Sequence, residues 1–394
     1  MKKFALSLAA LLATSAMATT ITLYQDKNTG ALYTKPGPNR IPLGEFVSKD
    51  EVVKTTGDLK KEMAKELKGT VVSAKVPKLK INGVHYLGFT HINNKSGSDI
   101  NRFETRRNYL QVKAYWNKKD YMRLTVDTHE DETGDWKVRL KYAYLYLDNV
   151  LPHTGVEFGQ VHRPWIDWEE HHGWLYRSIA KTFVEEGNGA HLTNSADQGI
   201  NFKTKTPYFS SEIGLFNGEG YHDITAHTNK RVSFEWRLTA HLLGTGKEHV
   251  HPTSDTYADV SFLGQINPDY KNDAPDFNWF AVHAVYNQPL FLIAGMYAKA
   301  KHKEGNIYGS KEGNGWSVNT ELRPFPKWAL FARYDRWNNK SKPVTVTRNE
   351  WIAGAAYTYN KNVKFIANIF DIDPNDNINN DEQMRYMMSA EVKW

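Results

Sequence analysis

The chain has 394 residues, no cysteine, a formal net charge of +6 and a pI near 9.0, with 12 Trp, 21 Tyr and 18 Phe. Without cysteine a disulfide-stapled scaffold is excluded, and no unbroken apolar run reaches the ~18 residues that a spanning helix needs. The small cationic excess points to anionic solutes, and no nucleic-acid partner is expected.

MKKFALSLAALLATSAMATT places two lysines ahead of an apolar run from Phe4 to Ala13, with Ala16-Met17-Ala18 where a peptidase would cut. Residues 1–18 therefore read as a secretory signal peptide. Residues 19–76 read as a periplasmic extension. In it, Thr20–Thr34 forms a hairpin around Asn28-Thr29-Gly30, Lys35-Pro36-Gly37-Pro38 breaks it, and Asp58–Leu67 has the composition of a short helix.

From residue 77 to Trp394 the pattern is strand after strand, each with an apolar and a charged face, as a two-residue period requires. Leu110, Val112, Ala114 and Trp116 alternate with Tyr109, Gln111, Lys113 and Tyr115. Phe234, Trp236, Leu238 and Ala240 alternate with Glu235, Arg237, Thr239 and His241. Short connections such as Asn117-Lys118-Lys119, Gln288-Pro289 and Asn360-Lys361-Asn362 alternate with long polar ones such as Glu219–Arg231 and His302–Asn314. That sorting predicts an all-β transmembrane antiparallel barrel of about sixteen strands in the outer membrane of a Gram-negative bacterium. Gly244–Asp255 breaks the parity, being long where a short turn is due. The last run, Tyr386 to Trp394, is an amphipathic strand ending on an aromatic residue, which resembles the assembly signal of outer-membrane proteins.

A cation facing lipid at mid-membrane costs ~2–4 kcal/mol, so the charged face belongs to the lumen. This assigns Arg107, Lys113, Arg123, Arg139, Lys141, Lys203, Lys205, Arg237, Lys299 and Arg333 to the lumen wall, with Lys301 and Arg323 beside them. Asp127, Glu157, Glu212, Glu235, Asp259, Glu321 and Asp335 join them, leaving a cationic excess that favours anions.

Residues 163–195 form an insertion too long for a turn and rich in charge and Trp, as expected of a loop folded into the lumen to narrow it. Trp165, Trp168 and Trp174 are expected to pack against the wall. Arg163, Arg177, Lys181, Glu169 and Glu170, with Asp167, are the expected solute-facing or charge-neutralising residues. Leu175–Glu186 has the composition of a short helix.

Other chemistry is weakly signalled. Glu169-Glu170-His171-His172 lacks a second ligand cluster, so no metal or other cofactor is assigned. Asp371–Glu382 spaces oxygen side chains like a calcium loop but lacks its glycine. No GxSxG motif surrounds Ser178 or any other serine, and His162 has no partner fixed by sequence. A hydrolase embedded in the outer membrane and a soluble carbohydrate-binding β protein are the alternatives.

GQVHRPWIDWEEHH after an alternating strand, YFSSEIGLFNGEGY (Tyr208–Tyr221) and WIAGAAYTYNKNVKFIANIF (Trp351–Phe370) resemble the phosphate-selective porin O and P family of Gram-negative outer membranes, a similarity running over most of Phe103–Trp394. The resemblance implies a sixteen-stranded barrel in outer-membrane lipid, commonly a homotrimer, through which small anions diffuse, with phosphate selected by basic residues lining the pore.

Overall fold

The computed structural model describes residues 21–46, 61, 78–95, 97–218, 220–221, 232–244, 250–268, 276–302, 312–340, 346–373 and 382–394. The chain divides into two compact units, Met1–Val76 and Pro77–Trp394.

In the first unit, β1 (Ile21–Asp26) is the centre of a three-stranded antiparallel sheet between β2 (Leu32–Tyr33) and β3 (Arg40–Phe46). The Asp26 carboxylate accepts the backbone N–H groups of Asn28 and Thr29 at 2.9 and 3.0 Å, and Gly30 follows with φ +72°, so the hairpin expected around Asn28-Thr29-Gly30 forms with a third strand added. The helix expected over Asp58–Leu67 lies outside the described residues apart from Lys61, which is helical.

The second unit is a closed antiparallel barrel of sixteen strands. These are β4 (Lys78–Asn94), β5 (Ile100–Tyr115), β6 (Tyr121–Glu130), β7 (Trp136–Leu151), β8 (Thr154–His162), β9 (Ala196–Lys205), β10 (Phe209–Phe216), β11 (Ser233–Leu243), β12 (Tyr257–Asn267), β13 (Phe277–Gln288), β14 (Phe291–His302), β15 (Gly313–Phe325), β16 (Trp328–Asn339), β17 (Val346–Thr358), β18 (Val363–Asp373) and β19 (Gln383–Lys393). The terminal run closes the ring, with β19 pairing β4 from Gln383↔Asn94 to Lys393↔Val84. Trp394 and Gly83 then exchange backbone hydrogen bonds of 2.9 and 3.1 Å, and a Cβ on Gly83 would meet the Trp394 ring at 2.6 Å. Closure satisfies every edge, the condition for a sheet to cross lipid. Among the described residues no helix is long and apolar enough to do so.

Alternation sets the two faces. On β11, Glu235, Arg237 and Thr239 are buried inside while Phe234 is exposed outside, with Phe262, Val282, Ile293 and Leu330 exposed on neighbouring strands. Two bulges correct the period. Tyr86 faces Arg107 and Leu87 faces Thr105, which leaves Arg106 as an extra inward residue; Thr125 faces Tyr142 and Val126 faces Leu140, which does the same for Lys141. A strict period through β7 would have turned Tyr142, Tyr144 and Tyr146 into lipid.

Lys299 departs from expectation. It pairs laterally with Phe280, which is exposed on the outer face, whereas its neighbours Ala298 and Ala300 are buried inside. Lys301 shares its outward parity. Both sit at the end of β14 next to a long connection, where an ammonium on a flexible stem reaches the polar rim at little cost.

The parity break at Gly244–Asp255 is real. His251–Asp255 closes a turn through the Asp255 backbone N–H to His251 O at 2.8 Å. Asn287 Nδ2 and Arg323 Nη1 both donate to Pro252 O, at 2.8 and 2.9 Å, and Val250 joins an apolar cluster with Tyr257, Val285 and Leu292. The described residues of this turn, 250–255, therefore fold against the inner wall at the short-turn end of the barrel.

Candidate functional site

Residues 163–195 leave β8 and rejoin at β9, their neck held by the Arg163 backbone N–H on Ser195 O at 3.3 Å. One helix, α1 (Ile166–His172), opens the segment, with Asp167 and Glu169 in its first turn and His171 and His172 in its last. That charge order suits the helix dipole. Trp165 Nε1 donates to Glu169 Oε2 at 2.5 Å, and the ring nitrogens of His171 and His172 meet the carbonyls four residues back at 2.7 and 2.9 Å. Leu175–Glu186, expected to be helical, is instead a run of turns. Its side chains are spent on wall contacts rather than on one helical face.

Those contacts explain why the segment lies inside. Trp165, Ile166, Phe183, Val184 and Leu192 bury against Leu263, Trp279, Met296 and Trp337 of the wall; Trp174, Tyr176, Ile179 and Ala180 bury against Phe331, Ile352, Ile366 and Phe370. Irregular backbone inside a barrel also needs partners for its carbonyls. Wall side chains supply them. Tyr257 donates to His172 O (2.7 Å), Asn319 to Gly173 O (2.9 Å), Lys364 to Leu175 O (3.1 Å), Arg106 to Ser178 O (3.1 Å) and Arg333 to Lys181 O (2.5 Å). The segment is thereby fixed mainly along the inner faces of β11–β19, with Arg106 of β5 as a tie from the other side, and most of the opposite wall, β4–β9, faces open space.

Between that open wall and α1 lies a cavity of about 350 Å³ whose lining includes Tyr86, Tyr109, Arg123, Lys141, Tyr142, Asp167, Glu170, His171 and Arg177. It shares Glu170, His171, Leu175 and Lys393 with a second, wider space of about 730 Å³ at the short-turn end, lined by Val250, Pro252, Arg323 and Lys327. On the helix, the Asp167 and His171 side chains are 48% and 68% exposed and line the cavity. Asp167 raises the pKa of His171 above its ordinary 6.5, whereas burial pushes that of His172 down to about 3. Arg177 is clamped between Glu170 and Glu185. Against burial, that guanidinium holds the Glu185 carboxyl well below the usual range.

The predicted basic residues sort into three groups. Arg123 and Lys141 line the cavity and, among the described residues, hydrogen-bond no carboxylate: Arg123 donates to Thr125 Oγ1 and Tyr144 Oη at 3.0 and 3.1 Å and meets His162 Nε2 at 3.1 Å, and Lys141 donates to Ser195 Oγ and Tyr221 Oη at 2.5 and 3.1 Å. Arg107 and Arg139 share Asp127 at 3.1 and 2.9 Å, Lys203 bridges Glu157 and Glu212 at 3.4 Å each, and Lys113 lies 4.5 Å from the Tyr121 ring centre. Lys205 is exposed at the short-turn end of β9. The third group faces inward but lies behind the inserted segment. Arg163 forms a bidentate pair with Glu235, Arg237 lies 4.2 Å from the Trp168 ring centre, and Arg333 holds Asp335 and Glu350.

Arg163 and Glu169, expected at the constriction, are not among the residues lining the cavity, and each is tied to a buried partner. Glu170 and Arg177 do line the cavity, and Lys181 contributes its carbonyl to Arg333. Arg106 and His171 were not placed at the pore from sequence. The Arg106 bulge leaves no trace in the periodicity, but the i,i+4 spacing of Asp167 and His171 was a readable signal. Among the described residues, no group of His, Asp or Glu is arranged to hold a metal ion. The calcium-like Asp371–Glu382 lies largely outside the described residues, only residues 371–373 and 382 being placed.

No family model matches the chain, and no curated protein sequence does. Solved structures match at the level of the fold. A loop L8 deletion mutant of OmpT, an outer membrane protein of Vibrio cholerae, aligns with TM-score 0.56 and 12% identity over 80% of this chain and 99% of that one. Salmonella typhi OmpF in complex with daunomycin aligns with TM-score 0.55 and 13% identity over 81% and 98%. A mutant porin of Rh. blastica aligns with TM-score 0.52 and 10% identity over 80% and 100%. The fold is thus that of outer-membrane barrels, porins included.

Proposed function

We propose that the protein is a porin of the Gram-negative outer membrane, a water-filled channel for passive diffusion of small hydrophilic solutes that passes anions, inorganic phosphate among them, in preference to cations. The fold and the inserted segment support the channel. The observation that carries the anion preference is the pair Arg123 and Lys141, two cations lining the cavity that, among the described residues, make no hydrogen bond to a carboxylate. A charge with no carboxylate partner keeps its field, and a narrow low-dielectric lumen focuses it. The preference is modest, because Asp167 and Glu170 face the same space. Proteoliposomes test this reading: phosphate and chloride should enter faster than organic cations of similar size. Equal rates would refute the selectivity, and no uptake by inserted protein would refute the channel.

Assembly as a homotrimer is part of the reading, and an outward-facing polar chain supports it. Trp394 Nε1 donates to His85 Nε2 at 2.9 Å; His85 Nδ1 then donates to Asn108 Oδ1 at 2.9 Å, and Asn108 Nδ2 to Thr128 Oγ1 at 2.8 Å. These groups sit among outward Leu87, Leu110 and Phe103, where polar side chains are costly in lipid and ordinary under a second copy. One structural neighbour, OmpT of Vibrio cholerae, is described in a trimer form. Residues 19–76 belong to this reading as a periplasmic extension.

One arrangement favours the hydrolase alternative. Ser210 Oγ lies 3.1 Å from His241 Nε2, and His241 Nδ1 lies 2.7 Å from Asp259 Oδ1. Ser210 is, however, 4% exposed, receives a hydrogen bond from Arg237 at 3.0 Å, and lies behind Trp168. A nucleophile needs an approach path and an oxyanion site. The wall-network reading is preferred.

A further inference from the structure

The open wall is unusual for its tyrosines. Four adjacent strands, β4–β7, turn Tyr86, Tyr109, Tyr121, Tyr142, Tyr144 and Tyr146 inward, and three of these, Tyr86, Tyr109 and Tyr142, line the cavity directly. The cations are interleaved with the rings. Arg123 is centred 4.6 Å from the Tyr142 ring, and Lys141 Nζ lies 5.5 and 5.7 Å from the rings of Tyr142 and Tyr109; Tyr86 and Tyr109 meet edge to face at 6.3 Å. Among the described residues the buried Tyr109 hydroxyl meets no hydrogen-bond partner, a donor left open. A plain ion conductor needs none of this. Bare charges and mobile water would serve, and rings that displace water from the wall slow an inorganic ion.

We infer that the cavity is a binding site for small monoanions that carry a ring, of the aromatic carboxylate class. The carboxylate would lie on Arg123 and Lys141 with the Tyr109 hydroxyl as a further donor, and the ring would pack against Tyr86 and Tyr142. A volume of about 350 Å³ is at the small end of ligand sites, which suits a one-ring acid. Asp167 and Glu170 across the cavity disfavour a second negative charge on the far end of the solute. The inference rests on the porin reading and adds its solute class.

The test is single-channel recording of the full chain in potassium chloride, titrated separately with benzoate, acetate and benzyl alcohol. Benzoate should interrupt the current at a concentration about tenfold below either of the others, because only it offers charge and ring together. Tyr86→Ala with Tyr142→Ala should raise the half-blocking benzoate concentration toward that of acetate. Tyr109→Phe, which keeps the ring and its packing, should raise it by a few-fold. Equal block by benzoate and acetate, or benzoate block unchanged in both variants, overturns the inference while leaving the channel intact. Inserted protein with no current in chloride alone would instead remove the porin reading and this inference with it.

Discussion

Trp174→Ala tests whether the inserted segment is held by its aromatic anchors. Trp174 is 1% exposed, packs 5.4 Å from Tyr176 and 6.2 Å from Phe331, donates its Nε1 to Ala180 O at 2.9 Å, and carries the Arg333 guanidinium 4.8 Å from its ring centre. Truncating a buried Trp costs about 3–5 kcal/mol. Little of that falls on the barrel, whose strand pairing does not involve residue 174, so the loss appears as weaker docking of residues 163–195 to the wall. At about 1.4 kcal/mol per factor of ten, the undocked population rises by roughly a hundredfold to a few thousandfold. The chain has no cysteine, so a single Thr182→Cys, at a site 0% exposed, reports docking through its rate of reaction with a small charged thiol reagent. That rate should rise by roughly a hundredfold or more when Trp174→Ala is added, with heat-modifiable migration and β-sheet circular dichroism unchanged. A change of less than about threefold, or loss of the barrel itself, would refute the account of how the segment is held.

Other consequences follow from the same geometry. Asp167 holds the pKa of His171 above 6.5, so the imidazole gains its proton, and the pore a positive charge, as pH falls through the neutral range. Anion preference should increase from about pH 8 to pH 6 and be flat in His171→Ala; a slope that persists in the variant would contradict it. Replacing Arg123 and Lys141 together by Gln should bring the anion-to-cation permeability ratio close to one or below, whereas Arg333→Gln should loosen the segment and change gating noise more than selectivity. If copies meet over the outward polar chain, Thr105→Cys should be protected from a membrane-permeant maleimide in the native assembly, while Val282→Cys, 48% exposed on the far wall, reacts. Equal protection would place the interface elsewhere. A fluorophosphonate should leave Ser210 unlabelled, and labelling abolished by His241→Ala would restore the hydrolase reading.

How much of this was readable from the residues depends on the physical rule involved. A two-residue period combined with the cost of charge in lipid separates inside from outside, and it placed Arg107, Arg123, Lys203, Arg237 and Arg333 on the inner face. It says nothing about what covers that face. Arg237 and Arg333 are inward, yet hidden by Trp168 and by the backbone of Lys181, contacts set by packing between residues more than sixty positions apart. Arg106 is invisible to the period because a bulge adds one residue, and Lys299 obeys parity but not the charge rule because the strand end reaches the polar rim. The helix falls at Ile166–His172 and not within Leu175–Glu186, since burial of Trp174, Tyr176 and Phe183 against the wall outweighs a weak helical propensity. The long turn at Gly244–Asp255, which violated the loop parity, was the most informative anomaly: its described residues, 250–255, fold inward at the short-turn end of the barrel.

The most direct test of the central claim is the zero-current potential of the wild-type chain in a planar bilayer under a potassium chloride gradient at neutral pH. The account predicts stepwise conductance with a potential displaced toward the chloride equilibrium value. Stepwise conductance with a potential displaced toward potassium would contradict the role given to Arg123 and Lys141, and inserted protein without conductance would contradict the channel itself.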